Sequence, residues 1–287
     1  MSAVPFGARL AAAMDALGPL CVGIDPHPSL LGAWGLPDDP SGLRSFALTT
    51  LDAVAGAVPA VKPQAAFFER HGSAGVAVLE EVVAAGRERG LLVVVDAKRG
   101  DIGSTMAAYA DAYLRDGSPL AGDALTVSPY LGFGSLAPAV AAAGESGRGL
   151  FVLALTSNPE GASVQHARSP EGTAVATAVA RAAAELNAAE RRSSGARLGS
   201  VGLVVGATVG DAPRLLGLDL AAVGGPLLAP GVGAQGAGPA ELAQVFGDAR
   251  RAVLAASSRG VLGAGPDPAA LRAAAGRARD EAAAALR

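Results

Sequence analysis

The chain keeps two lysines, Lys62 and Lys98, among 23 basic residues; the other 21 are arginine. Where lysine survives such a bias, the position is a candidate for chemistry that a guanidinium cannot do, because an ammonium is compact and can give up a proton. Lys98 lies in Asp96-Ala97-Lys98-Arg99-Gly100-Asp101, directly after Val93-Val94-Val95. An extended chain has a side-chain period of two, so Asp96 and Lys98 are expected on one side of one strand. Charges at the end of so apolar a run are costly unless paired. Lys62 and Asp101 would complete an alternating set of two ammoniums and two carboxylates. Each charge in such a set favours the ionised form of its neighbours, which would keep Lys98 a protonated acid. The same residues would also make an ordinary ion-pair network, and residue types alone leave both readings open.

A second constellation lies later in the chain, in Pro230-Gly231-Val232-Gly233-Ala234-Gln235-Gly236 and Ser257-Ser258-Arg259-Gly260. The glycines let backbone amides converge on an anion, Gln235 adds an amide donor, and Arg259 supplies a bidentate charge. In a chain with 39 glycines, a merely flexible turn is the alternative. His27, His71 and His166 form no pair with metal-ligand spacing, no Ser/His/Asp set is evident, and no metal is expected. His27 reads as a supporting or solvated residue, and Trp34, Tyr109 and Tyr113 read as packing. The lone cysteine, Cys21, excludes an internal disulfide and a cysteine-based zinc cluster, and reads as a buried thiol.

The elements that must position these residues are short Val- and Leu-rich runs bounded by turn signals. Eight read as strands: Leu20–Asp25, Ala60–Gln64, Leu91–Lys98, Ala124–Tyr130, Leu150–Ser157, Val201–Thr208, Pro226–Gly233 and Ala252–Ser258. None alternates apolar with polar, which fits parallel strands covered on both faces. Helices are expected over Ser41–Val58, Ala65–Arg89, Thr105–Leu114, Pro170–Ala189, Pro239–Arg250 and Pro268–Arg287, with an irregular excursion at Asn158–Ser169 and a polar turn at Arg191–Gly199. This alternation predicts an α/β fold, a parallel eight-stranded (β/α)8 TIM barrel occupying residues 1–287 as one domain. A doubly wound sheet is disfavoured because Gly-Ile-Asp-Pro-His-Pro replaces the Gly-rich fingerprint after the first strand.

In such a barrel, chemistry sits at the C-terminal strand ends. Asp25, Lys62, Asp96, Lys98, Asp101, Thr156-Ser157-Asn158, the Pro230–Gly236 loop and Ser257-Ser258-Arg259 all fall there, so both lysines are included. Composition narrows the partners. With 51% hydrophobic and 17% charged residues the chain is no disordered tail, and a net charge of −3 without a basic run argues against nucleic acid. No run reaches the roughly 20 apolar residues of a membrane span. Arg9 and the apolar stretch after it, broken by Asp15, read as an amphipathic first helix rather than a signal peptide, which makes the cytoplasm the expected location.

With these residues assembled, the sequence resembles the orotidine 5′-phosphate decarboxylase family in its longer bacterial form. The resemblance rests on Asp96-Ala-Lys98-Arg-Gly-Asp101-Ile102, Gly23-Ile-Asp25-Pro, Val61-Lys62-Pro-Gln, Leu155-Thr-Ser157-Asn-Pro, Pro230-Gly-Val-Gly-Ala-Gln235-Gly and Ser258-Arg259, in family order. It implies decarboxylation of orotidine 5′-monophosphate to uridine 5′-monophosphate, the last step of de novo pyrimidine biosynthesis, without a cofactor. Lys98 would protonate C6 as carbon dioxide leaves, Asp96 would sit against the substrate carboxylate, and Lys62 would contact the ribose and hold the charge array. Asp101, Ile102 and Thr105 would reach into a neighbouring subunit's site, making a homodimer the catalytic unit. Asp25 would bind a ribose hydroxyl, Ser157 the pyrimidine edge, Pro230 would lie near the base, and Gln235 and Arg259 would grip the 5′-phosphate. Two rivals remain. A metal-dependent sugar-phosphate decarboxylase or aldolase shares Asp-x-Lys-x-x-Asp but needs a second carboxylate on the second strand, where Lys62 stands. A catalytically silent phosphate binder would have lost the proton donor, which Lys98 retains.

Overall fold

The computed structural model describes residues 4–232 and 237–286. Eight strands, β1 (Leu20–Ile24), β2 (Ala60–Pro63), β3 (Leu92–Arg99), β4 (Ala124–Val127), β5 (Gly149–Leu155), β6 (Val201–Val205), β7 (Leu227–Pro230) and β8 (Val253–Ser257), close in chain order into a parallel barrel. The seam is β1 against β8, with Leu20 opposite Ala255 and Val22 opposite Ser257. Every residue of β1, β6 and β8 is buried, as their unbroken apolar runs require of strands covered on both faces. This is the (β/α)8 TIM barrel that the alternation of elements predicts.

Local chemistry sets the helix ends. Asp39 caps the helix Pro40–Val54 by accepting from the Ser41 and Gly42 amides, and Asp267 caps Pro268–Ala285 by accepting from the Ala269 amide. Both helices start on proline, whose missing N–H costs nothing at that position. The helix expected over Ala65–Arg89 is two helices, Ala66–Glu69 and Gly72–Glu88, because the chain turns at Gly72 with a φ of +64°. The helix expected at Pro170–Ala189 is displaced to Val175–Ser194 and takes in the first half of the expected polar turn. Its inward stripe is Ala176, Val179, Ala180, Ala183 and Asn187, and Pro170 belongs instead to the turn that brings Arg168 beside Ala174. The segment expected to be irregular folds as a 3-10 turn, Pro159–Gly161, and a short helix, Ala162–Gln165. Gln165 ties it to β5, accepting from the Thr156 amide (2.9 Å) and donating to Thr156 Oγ1 (2.7 Å).

The barrel is sealed at its N-terminal end by the first helix, Phe6–Leu17. Phe6, Leu10 and Met14 pack with Cys21, Val94, Phe151, Val204, Leu228 and Leu254 from the barrel interior, and the Phe6 and Phe151 rings meet edge to face at 5.9 Å. Gly149 is what admits Phe6, since a Cβ there would lie 2.1 Å from the ring. Arg9, three residues after Phe6 and with its guanidinium 6.0 Å from that ring, pairs with Asp123 and donates to the Gly147 carbonyl. Burial pushes the Cys21 thiol up to about 12, so this cysteine is an inert filler of the plug. Among the described residues, no helix is long and apolar enough to cross a membrane.

Candidate active site

At the opposite, C-terminal end the same interior turns polar. A chain of four charges crosses β1, β2 and β3: Asp25, Lys62, Asp96 and Lys98. Asp96 is its centre. Its Oδ2 accepts from Lys62 Nζ (2.6 Å) and Gln64 Nε2 (3.0 Å), and its Oδ1 accepts from Lys98 Nζ (2.6 Å) and Thr126 Oγ1 (2.8 Å). Lys62 Nζ also lies 4.0 Å from Asp25 Oδ1. Burial opposes the charge on both Asp96 and Lys62. For Asp96 the two ammoniums and their hydrogen bonds outweigh burial and hold the carboxyl below the usual carboxylate range. For Lys62 the pull of Asp96 and Asp25 outweighs burial and holds the ammonium above the usual lysine value. The site therefore carries fixed charges of both signs at neutral pH.

These residues line a cavity of about 610 Å³. Its wall holds most of the residues expected at the strand ends: Asp25 from the end of β1, Lys62 on β2, Asp96 and Lys98 on β3, Ser157 after β5, Pro230 on β7 and Arg259 after β8. Ser257 and Ser258 both line it. His27 also stands at the rim, its ring 4.2 Å from that of Phe67. Three expected residues lie elsewhere. Asp101 turns back to accept from the Ile102 amide (2.8 Å), so Asp25 rather than Asp101 provides this chain's second carboxylate. Ile102 is 61% exposed, and Thr105 is exposed on the helix Gly103–Leu114. Gln235 falls outside the described residues.

Sequence reasoning passed over Gln64 and Thr126, both donors to Asp96. Gln64 was legible as the residue two positions after Lys62, the same period that joins Asp96 to Lys98. Thr126 carried no signal, since a threonine within Leu-Thr-Val reads as an ordinary strand residue. Among the described residues, no group of three or more His, Cys, Asp or Glu side chains is placed to hold a metal ion.

Residues 18–274 match the model of the orotidine 5′-phosphate decarboxylase / HUMPS family. The chain belongs to that family. It is 62% identical over 274 residues to an orotidine 5′-phosphate decarboxylase of Streptomyces coelicolor, covering 95% of each chain. It is 61% identical over 272 residues to one of Salinispora arenicola, again covering 95% of each. A crystal structure from Streptomyces avermitilis assigned to the same enzyme superimposes with a TM-score of 0.93 at 61% identity, covering 100% of this chain and 97% of that one. An orotidine monophosphate decarboxylase structure from Leishmania donovani matches with a TM-score of 0.74 at 30% identity and 99% coverage of both chains. The metal-dependent rival needs a carboxylate on β2, and the ammonium of Lys62 there would repel a cation.

Proposed function

We propose that the chain decarboxylates orotidine 5′-monophosphate to uridine 5′-monophosphate without metal or organic cofactor, and that Lys98 is the proton donor. The observation that carries this is the run of charges Asp25–Lys62–Asp96–Lys98 lining one wall of a cavity that Arg259 also lines. Cleavage of the bond between C6 and the carboxylate carbon releases carbon dioxide and leaves the electron pair on C6. No conventional electron sink adjoins that carbon, so a positioned ammonium is the stabiliser available. Lys98 then delivers its proton to C6 and regains one from water. Asp96, held ionised by its four donors, sits against the substrate carboxylate, and their repulsion is relieved as neutral carbon dioxide departs. Asp25 binds a ribose hydroxyl, Ser157 the edge of the pyrimidine, and Pro230 lies near the base. Arg259, with Gln235, takes the 5′-phosphate, a distant handle whose binding energy fixes the geometry.

Asp101, Ile102 and Thr105 serve the site of a second copy in a homodimer. The exposure of Ile102 and Thr105 outside their own cavity supports this, as does the apolar surface beside them. Ile102 (61% exposed), Tyr130 (77%) and Leu131 (53%) occupy neighbouring loops, which touch where Gly100 packs on the Ser128 carbonyl.

The deciding experiment follows the loss of orotidine 5′-monophosphate absorbance with purified protein, with and without EDTA. Fast decay insensitive to the chelator is the expected result. No decay from folded, ligand-binding protein would overturn the reading in favour of a silent phosphate binder, and decay abolished by EDTA would revive the metal-dependent rival. Site sharing is tested by mixing Lys98→Ala and Asp101→Ala subunits: hybrids should recover activity, and verified mixed dimers without any would refute it.

A further inference from the structure

Among the described residues, Lys98 is the only one other than glycine with a positive φ, +46°. A side-chain-bearing residue enters the left-handed region at a cost, and keeps it only where the surroundings over-determine it. The cause lies in the pairing of β3 with β4. Val95 stands opposite Leu125 and Arg99 opposite Val127, so Asp96, Ala97 and Lys98 together face the single residue Thr126. A regular ladder has no carbonyl to offer the surplus amides of such a bulge. The Thr126 hydroxyl takes over. Its Oγ1 accepts from the Lys98 amide (2.9 Å) and donates to Asp96 Oδ1 (2.8 Å). The direction is fixed by chemistry: a backbone N–H can only donate, an ionised carboxylate can only accept, and a hydroxyl can do both. Asp96 Oδ1 also accepts from Lys98 Nζ (2.6 Å), which closes a ring running from the Lys98 backbone through Thr126 and Asp96 to the Lys98 ammonium. Thr126 is 1% exposed, at the wall of the cavity, with its hydroxyl engaged by these two partners.

We propose that Thr126 is a positioning residue for the proton transfer: its hydroxyl holds the left-handed backbone at Lys98 and so aims the ammonium at Asp96 and the cavity. This rests on the decarboxylase reading, in which Lys98 supplies the proton. A valine in its place keeps the shape but leaves the Lys98 amide and Asp96 Oδ1 each short of a partner. Lys98 is then free to return to an extended backbone, which re-aims its side chain.

The test measures kcat, KM and uridine 5′-monophosphate affinity for wild type and for Thr126→Val, Thr126→Ala and Thr126→Ser. Misplacing a reacting group by about 1 Å costs on the order of 10²-fold in rate, so kcat of Thr126→Val should fall by that order. KM and product affinity should stay within about threefold, because the residues assigned to phosphate and ribose lie on other strands. Thr126→Ser, which restores the hydroxyl without the methyl, should recover most of the lost rate, and Thr126→Ala should not. If valine disrupts folding, the serine–alanine comparison carries the test, since those variants differ only in the hydroxyl. Equal kcat for serine and alanine, or a Thr126→Val kcat within about threefold of a fully active wild type, overturns the inference alone. Folded wild-type protein without turnover overturns the decarboxylase reading and this inference with it.

Discussion

Asp96→Asn is the sharpest perturbation of the charge array, because it removes one charge and almost no volume. The carboxylate takes four donors on two oxygens, and an amide offers one oxygen and one NH₂ group. Either way it is turned, the NH₂ group meets a lysine ammonium. The Lys62–Asp96 pair is buried on both sides, with side-chain exposures of 11% and 8%. Breaking such a pair by removing one partner costs about 3–5 kcal/mol, since the other charge is left desolvated. The Lys98–Asp96 pair adds little, because the Lys98 side chain is 44% exposed and solvent screens it. At about 2–4 °C per kcal/mol for a chain of this size, Tm of the ligand-free protein should drop by about 6–20 °C at pH 7. The sign of the pH dependence provides a second check. Asp96 is held below its unfolded value, so its contribution is complete above about pH 5 and fades as acid reaches its folded pKa. The gap between wild type and variant should therefore close progressively below about pH 4. Calorimetry from pH 3 to pH 8 measures both effects. A variant melting within about 2 °C of wild type at neutral pH, or a gap that widens in acid, would refute the claim that Asp96 neutralises a desolvated Lys62.

Other expectations concern the chemistry and the barrel floor. Lys98→Ala should abolish decarboxylation while nucleotide binding stays measurable by calorimetric titration; substantial residual turnover would remove the proton-donor assignment. Arg259→Ala should weaken uridine 5′-monophosphate far more than uridine, which lacks the phosphate, and equal effects on the two would deny the guanidinium its phosphate role. Phe6→Ala empties the seat against Gly149 and Phe151 and should destabilise by about 3–5 kcal/mol in chemical denaturation. Its KM should hold, since Phe6 does not itself line the cavity and is separated from it by a layer that includes Val204 and Leu228, and a large change in KM would refute that separation.

The strands were legible because their signal is local and simple: a parallel strand buried on both faces is mostly apolar, and polar exceptions within these runs, Lys62, Asp96, Lys98 and Thr126, line the cavity. Helix limits were less so. Gly72 divides a run whose composition is continuous, and Pro170 looks like a helix start yet belongs to a turn closed by contacts of its own. The placement of Asp25, Lys62, Asp96 and Lys98 around one cavity followed from strand ends plus topology. Asp25 as the neighbour of Lys62 did not follow, because it depends on the β1–β2 register that sets Gly23 opposite Lys62, a relation no single segment encodes. Nor could Thr126 be read, since its importance comes from a bulge on the strand beside it.

That bulge is where the sequence rule and the structure part. Period-two alternation places Asp96 and Lys98 on one side, and both do reach the same cavity, but by a different route. Lys98 arrives through a left-handed backbone and two surplus residues in the strand: four steps of β3 from Val95 to Arg99 against two of β4 from Leu125 to Val127. In a regular strand, residues two apart stand parallel about 7 Å from each other, with their side chains directed into the barrel. The bulge folds the lysine back, so that its ammonium meets the Asp96 carboxylate at 2.6 Å beside the cavity rather than filling it. A strained residue, a two-residue register shift and buried charges coincide at this one place; the barrel's other register shift, one residue between β5 and β6, brings no positive φ with it. A fold selected for stability alone would remove all three by continuing the apolar run. Their concentration on the residues that surround one carboxylate is the pattern expected where geometry serves chemistry.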